Sequence, residues 1–515
     1  TEIPLLSFSG YEAFCREGKP EYRQAAALRR EMLKALALGV CAQGTNRYAG
    51  KMADLIYLIG EECAWGYQEA VYPEGDPKAL DRSDCETGAL LVTASKLCAF
   101  ALDPLSPRIA RFARNAADYR LIRPMAEGDA LVCGMNDAAP ALEALLVCAL
   151  SSQRDERMRW MCLRRLCRMT EALIQRVEAG ETEGLEAALE ASDAVLNILA
   201  LLKNATGGEV DKRRDPVVTA LADWFVQSHV AGAWFVNPGG ELPRPDLAPE
   251  ALFRLGADAG DRRLTGLAAA LRKNERRIPL RERTPSLYSQ VTAAFYQNDF
   301  LRETARVSSA QDARIPGSRL MAARMDGFYA ALAGGRGPHA GELILFYEGQ
   351  PIILGPCGGD ARLHSVPLVT GAVQDAQMSG ARDAEEAGGE SYRMLSMNIA
   401  PAYPQRARLL NWQRTLLFVP SEGGVRMMDV FDFDEGGGYA VFRFLTPRMP
   451  ALSEGWAKIG PVVMTWEGDL EARVEPIAVS SPQARLDYGE RAYLVELATT
   501  RAPRGSYSFV FRPAG

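Results

Sequence analysis

The chain has 515 residues, a length that predicts more than one hydrophobic core and therefore two domains. Hydrophobic residues make up 48% and charged residues 24%, as in globular proteins, and the net charge is −6. This balance gives no support to a nucleic-acid partner or a membrane surface, and any anionic ligand would need a local basic patch. No apolar run of about 18 residues predicts a membrane-spanning helix.

The cysteines and the N-terminus bear on the cellular location. None of the ten cysteines has the CxxC spacing of a zinc ribbon, and most lie in apolar stretches that are predicted to be helical. Free thiols in a reducing cytoplasm are the simplest interpretation. Thr1 to Gly10 lacks a basic segment and a long apolar run. We therefore expect a cytoplasmic protein, or an exported one whose signal has been removed.

Residues 22 to about 304 predict a series of helices. Leu28, Met32 and Leu36 fall on one stripe of a helix, and Ser106-Pro107 is a helix start. Arg154 to Val177 predicts an amphipathic helix with a solvated basic face. Further helices are predicted near 183–203, 215–232, 262–274 and 285–303. Such a series indicates a bundle, a solenoid or a toroid, and the lack of a fixed repeat disfavours the solenoid.

The pattern changes to strands after about residue 305. Leu343 to Phe346, a turn at 347–350, and Pro351 to Leu354 predict a hairpin. Ala440 to Leu445 and Tyr493 to Leu497 are rich in strand-forming residues, and Tyr507, Phe509 and Phe511 alternate with small or polar residues. We therefore predict a helical domain over 1–305 and an antiparallel β-sandwich over 306–515.

Several segments, spread over most of the chain, resemble the heparinase II/III-like polysaccharide lyases. In the helical part these are Ile59–Trp65, Asp84–Leu91, Ser106–Ile109 and Trp234–Asn237. In the β part they are Gly341–Leu354, His364–Gly371, Ala402–Pro404, Trp412–Arg414 and Asp429–Phe431. Their order and spacing carry the resemblance. It implies an α+β multidomain protein, an incomplete (α/α) toroid followed by an antiparallel β-sandwich.

The resemblance also implies a chemistry, the β-elimination of polysaccharides that contain uronic acid. A tyrosine or histidine base removes the C5 proton, and an acid protonates the leaving oxygen. This sequence departs from the family at the residues that would do so. Ala70 stands at the family's helical histidine, Ala187 at its tyrosine and Gly337 at the histidine before the hairpin. His339 stands at the family's aspartate, and Ser365 replaces the asparagine after His364.

These losses predict a catalytically degenerate relative that binds acidic poly- or oligosaccharide. The alternative is an active lyase that uses His339 with Tyr67, Tyr288 or Tyr329, and a purely structural module is the third possibility. The candidate catalytic residues are His339 and Tyr67. The candidate substrate-binding residues are Trp65, Asn136, Asn237, Arg336, Arg362 and His364.

Structural roles remain open for several candidates. Trp65 could equally be a core tryptophan, Asn136 a helix cap, and His364 a residue that holds its loop. His229 is expected in the core, on an apolar helix. Because the chain has three histidines and zinc normally takes three or four protein ligands, no metal is predicted. No cofactor is predicted either, and a homodimer is left open.

Overall fold

The computed structural model carries side chains and describes most of the chain. The described residues are 2–44, 46–66, 80–102, 107–128, 131, 133–152, 155–178, 184–212, 215–237, 244–272, 285–307, 312–315, 320–334, 339–355, 364–375, 377–389, 392–419, 421, 423–479 and 482–515. None of the helices within these ranges is long and apolar enough to cross a membrane.

Helices dominate the first three hundred residues. In chain order they are α1 Phe8–Glu17, α2 Glu21–Gln43, α3 Ala49–Gly60, α4 Arg82–Leu102, α5 Pro107–Ala117, α6 Arg123–Glu127, α7 Met135–Ser151, α8 Glu156–Glu178, α9 Leu185–Ala205, α10 Pro216–Ser228, α11 Pro249–Ala259, α12 Arg262–Leu271, α13 Leu287–Arg302 and, near the C-terminus, α14 Pro482–Tyr488. A π-helical turn, Asp118–Ile122, joins α5 to α6.

Strands make up most of the remainder. They are β1 His229–Ala231, β2 Trp234–Phe235, β3 Asp312–Ile315, β4 Leu320–Met325, β5 Phe328–Ala333, β6 Glu342–Tyr347, β7 Gln350–Ile353, β8 Leu368–Val369, β9 Arg382–Gly388, β10 Arg393–Asn398, β11 Leu409–Val419, β12 Gly424–Phe433, β13 Ala440–Thr446, β14 Ala451–Ser453, β15 Trp456–Ile459, β16 Val462–Trp466, β17 Glu471–Ala478, β18 Arg491–Ala498 and β19 Arg504–Pro513.

The strands pair antiparallel throughout the described sheets. β3 to β7 form a five-stranded meander in chain order. An eight-stranded sheet has the order β14-β15-β16-β19-β12-β11-β10-β9, and a four-stranded sheet has the order β17-β18-β13-β8. β1 and β2 form a separate hairpin. The prediction of a helix-rich part followed by antiparallel sheets is confirmed, whereas closure of the helices into an incomplete toroid stays a prediction.

The described chain divides into two compact units. The first comprises Thr1–Val177, Leu189–Thr219 and Glu282–Arg302, and the second comprises Glu178–Ala188, Ala220–Arg281 and Glu303–Gly515. The second unit therefore contains α11 and α12 as well as the sheets. The predicted boundary between 305 and 306 falls where helix gives way to strand, after α13 and before β3, and as a domain boundary it stays a prediction.

In the helical unit, α4 packs against α2, α5 and α7. Its position depends on Gly88, because a Cβ there would lie 2.3 Å from Cδ1 of Leu121 in the π-helical turn. Trp65 lies against the same glycine and is fully buried. The sequence Asp84–Leu91, which carries part of the resemblance, thus contains the glycine that allows this close approach.

Buried charges join three segments of the helical unit. The carboxylate of Glu62 accepts a hydrogen bond from Arg29 at 3.3 Å and one from Arg30 at 2.8 Å. Arg30 also donates through Nε to Oγ1 of Thr87 in α4 at 2.8 Å. The three charged side chains are 9% exposed or less. The two buried arginines therefore share one buried carboxylate, and the pairing fixes α2 and α4 around the end of α3.

In the β-rich unit, the eight-stranded sheet packs one face against the other two large sheets over a shared core. Along β11, buried and partly exposed side chains alternate, as expected for a sheet with one solvated face. Phe444 of the four-stranded sheet meets Phe509 of β19 with ring centroids 5.3 Å apart. Every residue of β5 is buried, so this strand is covered on both faces.

The local predictions were mostly right, with one clear correction. β6 and β7 form the predicted hairpin, and its two turn residues, Glu348 and Gly349, have φ values of 47° and 72°, as a tight two-residue turn requires. The helix predicted over 215–232 ends at Ser228. His229 is buried as expected but lies on β1, where its Nε2 contacts the carbonyl oxygen of Gly232 at 3.1 Å.

The Glu62 network gives the first testable prediction. Glu62→Ala leaves two buried guanidinium groups without a counter-charge, which we expect to lower the free energy of unfolding by about 3–5 kcal/mol. Urea denaturation followed by circular dichroism measures the change. Glu61→Ala is the matched control, because Glu61 is exposed and should change stability by less than about 0.5 kcal/mol. Equal stabilities of the two variants would contradict the proposed role of Glu62.

Candidate functional site

A tight turn before β6 brings the first two polar side chains of the site together. The N–H of Glu342 donates to the carbonyl oxygen of His339 at 3.0 Å. Gly341 occupies the third position with φ 75°, where a Cβ would lie 2.6 Å from Cγ2 of Ile399. Only glycine suits this position, because both the dihedral angle and the space exclude a side chain. The turn places His339 and Glu342 next to each other.

Two polar side chains of the β-rich unit, Gln374 and Arg414, form hydrogen bonds with the backbone of this turn. The amide of Gln374 accepts from the N–H of Ala340 at 2.9 Å and donates to its carbonyl oxygen at 2.7 Å. Arg414 of β11 donates through Nη1 to the carbonyl oxygen of Gly341 at 2.7 Å. Both carboxylate oxygens of Asp429 accept from the same arginine at 2.8 Å. The backbone of the turn is therefore held at consecutive residues.

His364 completes the cluster from a different part of the chain. Its Nδ1 lies 3.1 Å from Oε1 of Glu342, while Nδ1 of His339 lies 3.2 Å from Oε2. The two imidazole rings are 4.6 Å apart between centroids and nearly perpendicular. Ser365 fixes this segment, because its Oγ donates to the carbonyl oxygen of Leu354 and accepts from the N–H of Leu445. The fold thus brings together two sequence-predicted histidines.

The electrostatics of the cluster follow from the burial of Glu342. Burial alone raises the pKa of this carboxyl group, but the positive charge of a protonated His364 and hydrogen bonds from both histidines lower the pKa to about 2. The group is therefore an ionised carboxylate that can only accept. Each Nδ1 must carry a proton that it donates to Glu342. His364 is 1% exposed, whereas His339 keeps 17% of its side chain exposed.

The cluster also has the donor set of a metal site. One ligand atom from each of His339, Glu342 and His364 lies within 4.8 Å of the others. Two imidazoles and a carboxylate are a ligand set that zinc takes in proteins, and Nε2 of His364 is a buried polar atom without a hydrogen-bond partner among the described residues. The residues therefore fit a zinc ion, which His339, Glu342 and His364 would hold. The number of histidines alone predicted no metal, because that count omits Glu342, which would supply the third ligand.

Two predicted substrate-binding residues lie in the protein interior. Trp65 is fully buried, its Nε1 donates to the carbonyl oxygen of Ile59, and the guanidinium of Arg120 lies 4.7 Å from its ring centroid. No ring face is left for a sugar, so Trp65 is a core residue. Asn237 is 2% exposed, and its side-chain oxygen accepts from the N–H of Leu185 at 2.7 Å. It therefore caps α9 rather than facing a ligand.

The remaining candidates are dispersed. Asn136 is partly buried in the first turn of α7. Tyr329 lies fully buried on β5, and burial raises the pKa of its hydroxyl group well above the ordinary value. Tyr288, in α13, lines a small pocket of the helical unit together with Glu143. Tyr67, Arg336 and Arg362 lie outside the described residues, as do Ala70 and Gly337.

Comparisons with solved structures bear on the fold. The chain matches the heparan sulfate lyase HepC from Pedobacter heparinus with a TM-score of 0.54 and 13% identity, covering 96% of this chain and 77% of that one. It matches the chondroitin AC lyase of Streptomyces coelicolor A3 with a TM-score of 0.57 and 12% identity, covering 96% and 75%. The fold is that of a polysaccharide lyase. No family model and no curated protein sequence matches the chain.

A pH titration tests the charge of Glu342. Because the pKa is about 2 in the folded protein and ordinarily 4.5, the folded state binds fewer protons in that interval, and stability falls as the pH drops from about 4.5 to about 2. We expect Glu342→Gln to remove this part of the acid sensitivity, worth about 3 kcal/mol. Urea unfolding at several pH values measures it, with the exposed Glu348→Gln as control. Parallel pH profiles for wild type and Glu342→Gln would refute the assignment.

Metal binding is tested separately. We expect added zinc to raise the midpoint of thermal unfolding of the wild-type protein, because an ion bound only by the folded state stabilises it. The shift should disappear in Glu342→Gln and weaken at acid pH, where protons compete for the histidines. Differential scanning calorimetry with and without a chelator measures the effect. No shift at any zinc concentration would favour the sequence-based expectation of a protein without metal.

Proposed function

We propose that the protein binds an acidic poly- or oligosaccharide on a polysaccharide-lyase fold and does not catalyse β-elimination. The same proposal includes the arrangement of the helices as the incomplete toroid that the sequence resemblance implies. The heparan sulfate and chondroitin lyases with which the chain shares its fold are named for acidic glycans, which supports the ligand class. A shared fold does not establish a shared activity, so the proposal depends on the site residues.

The observation that carries the proposal is the burial of His364 against an internal carboxylate. His364 is 1% exposed and bonded to Glu342, so it cannot approach a sugar without leaving the core. At the position aligned with the family's tyrosine, α9 has Ala187, which has no group to transfer a proton. An elimination needs a base within hydrogen-bond reach of the C5 proton, and proton transfer typically contributes about 10²–10⁴-fold.

The alternative function, an active lyase, has one specific observation in its favour. His339 is partly exposed, and its Nδ1 is held by a carboxylate at 3.2 Å. A carboxylate that orients an imidazole in this way is the usual support of a histidine base. If elimination occurs, His339 is therefore the residue expected to take the C5 proton, and Glu342 is expected to orient it.

Turnover assays separate the two functions. We expect no unsaturated uronate from heparan sulfate, chondroitin sulfate, hyaluronan or alginate, measured by the ultraviolet absorbance of the new double bond. Isothermal titration calorimetry at low salt should detect weak binding of at least one of these glycans.

Two outcomes would count against the proposal. Robust product formation that is abolished in His339→Ala and retained in Glu348→Gln would establish the active lyase instead. Failure of the wild-type protein to bind any acidic glycan would remove the binding function as well.

A further inference from the structure

Helix α8 has two chemically different faces. Its inward face consists of buried side chains at helical spacing: Cys162, Leu166, Thr170, Leu173 and Val177. Because this stripe packs inside the protein, the position of α8 is determined by the core of the helical unit. The opposite face is solvent-exposed and carries an unusual combination of residues.

The exposed face combines arginines with a tryptophan. Arg157, Trp160, Arg164 and Arg168 occupy positions i, i+3, i+7 and i+11, which lie on one side of a helix. Trp160 is 66% exposed, the most exposed tryptophan among the large hydrophobic side chains of the described residues. At about 1.5 Å per residue, the stripe runs for roughly 16 Å along the helix.

The three arginines have no internal function in the described structure. No carboxylate among the described residues pairs with Arg157, Arg164 or Arg168, and all three are exposed. Elsewhere, exposed arginines do pair, as Arg408 does with Asp434 at 2.8 Å. The one acidic residue further along the stripe, Glu171, marks the end of its basic part. The chain has a net charge of −6, so this concentration of unpaired positive charge is local.

We propose that the exposed face of α8, defined by Arg157, Trp160, Arg164 and Arg168, is a docking surface for a chain of acidic sugars. Guanidinium groups bind carboxylate and sulfate oxygens through paired hydrogen bonds. The indole ring of Trp160 offers a flat apolar surface for the C–H face of a sugar ring. The inference rests on the proposed function and adds to it a surface in the helical unit, separate from the histidine cluster in the β-rich unit.

Two other anionic partners fit this face less well. A membrane-surface helix inserts its apolar face into the lipid, but the apolar face of α8 is buried in the protein. A nucleic-acid duplex carries one negative charge per about 1.7 Å of its axis. Beyond a single short basic stripe, it would face a protein whose net charge is −6. A single flexible glycan chain can follow the stripe itself.

Binding of a heparan sulfate oligosaccharide by the full chain tests the proposal. Replacing Arg157, Arg164 and Arg168 together by alanine should weaken binding roughly tenfold at low salt, as expected for three exposed charges. Trp160→Phe should remove the fluorescence change that accompanies binding. The control replaces Arg406, Arg491 and Arg501, three exposed arginines of the other unit, and should bind as the wild type does. Circular dichroism verifies that each variant is folded.

The possible outcomes are distinct. Weaker binding in the α8 variant, with normal binding in the control, supports the proposal. Glycan binding that is unchanged in the α8 variant overturns it and leaves the proposed function intact. No glycan binding by the wild type overturns both. A DNA duplex, or vesicles that contain phosphatidylserine, could instead bind through α8 as tightly as the glycan or more tightly. That result would overturn the assignment of the acidic glycan as the ligand.

Discussion

The carboxylate of Glu342 is an ionised group inside the protein, and the turn before β6 and the segment of His364 are arranged so that its charge is compensated. Both of its oxygens accept from an imidazole, His339 on one side and His364 on the other. These bonds form only if the turn before β6 is in place, and Arg414 helps to hold that turn. Arg414 is itself a buried charge, and it is paired with the carboxylate of Asp429. The pairing of Glu342 with its two histidines therefore depends on the pairing of Arg414 with Asp429.

The helical unit also contains buried charged groups. Glu62 compensates two buried arginines, and Asp84 and Asp81 accept from each other's backbone N–H at the start of α4. Burial, followed by the charge of Asp81, raises the pKa of Asp84 to about 7. These groups lie in segments that carry the resemblance to the lyases or next to them. In this structure they orient helices.

Local patterns were sufficient to predict many elements of the fold and few of its contacts. The hairpin of β6 and β7 follows from two apolar runs around a glycine turn, and the alternation in β19 follows from its aromatic residues. Arg414 and Gly341 are 73 residues apart, and Asn237 and Leu185 are 52 apart, so no local pattern indicates either contact. Glu342 was missed because its position reads as the first residue of a strand. The carboxylate three residues after His339 was the available signal.

The resemblance to the lyases and any catalytic activity depend on residues with different exposure. Trp65, Glu62 and Gly88 are buried, and a substitution at any of them would disturb packing or leave a charge without a partner. Ala187 is partly exposed on α9, and a different side chain at this position would have no such structural role. A chain can therefore keep the core of a lyase while its reactive residues change. The proposed function accordingly depends on positions that keep some exposure, the partly exposed His339 and the exposed arginines of α8.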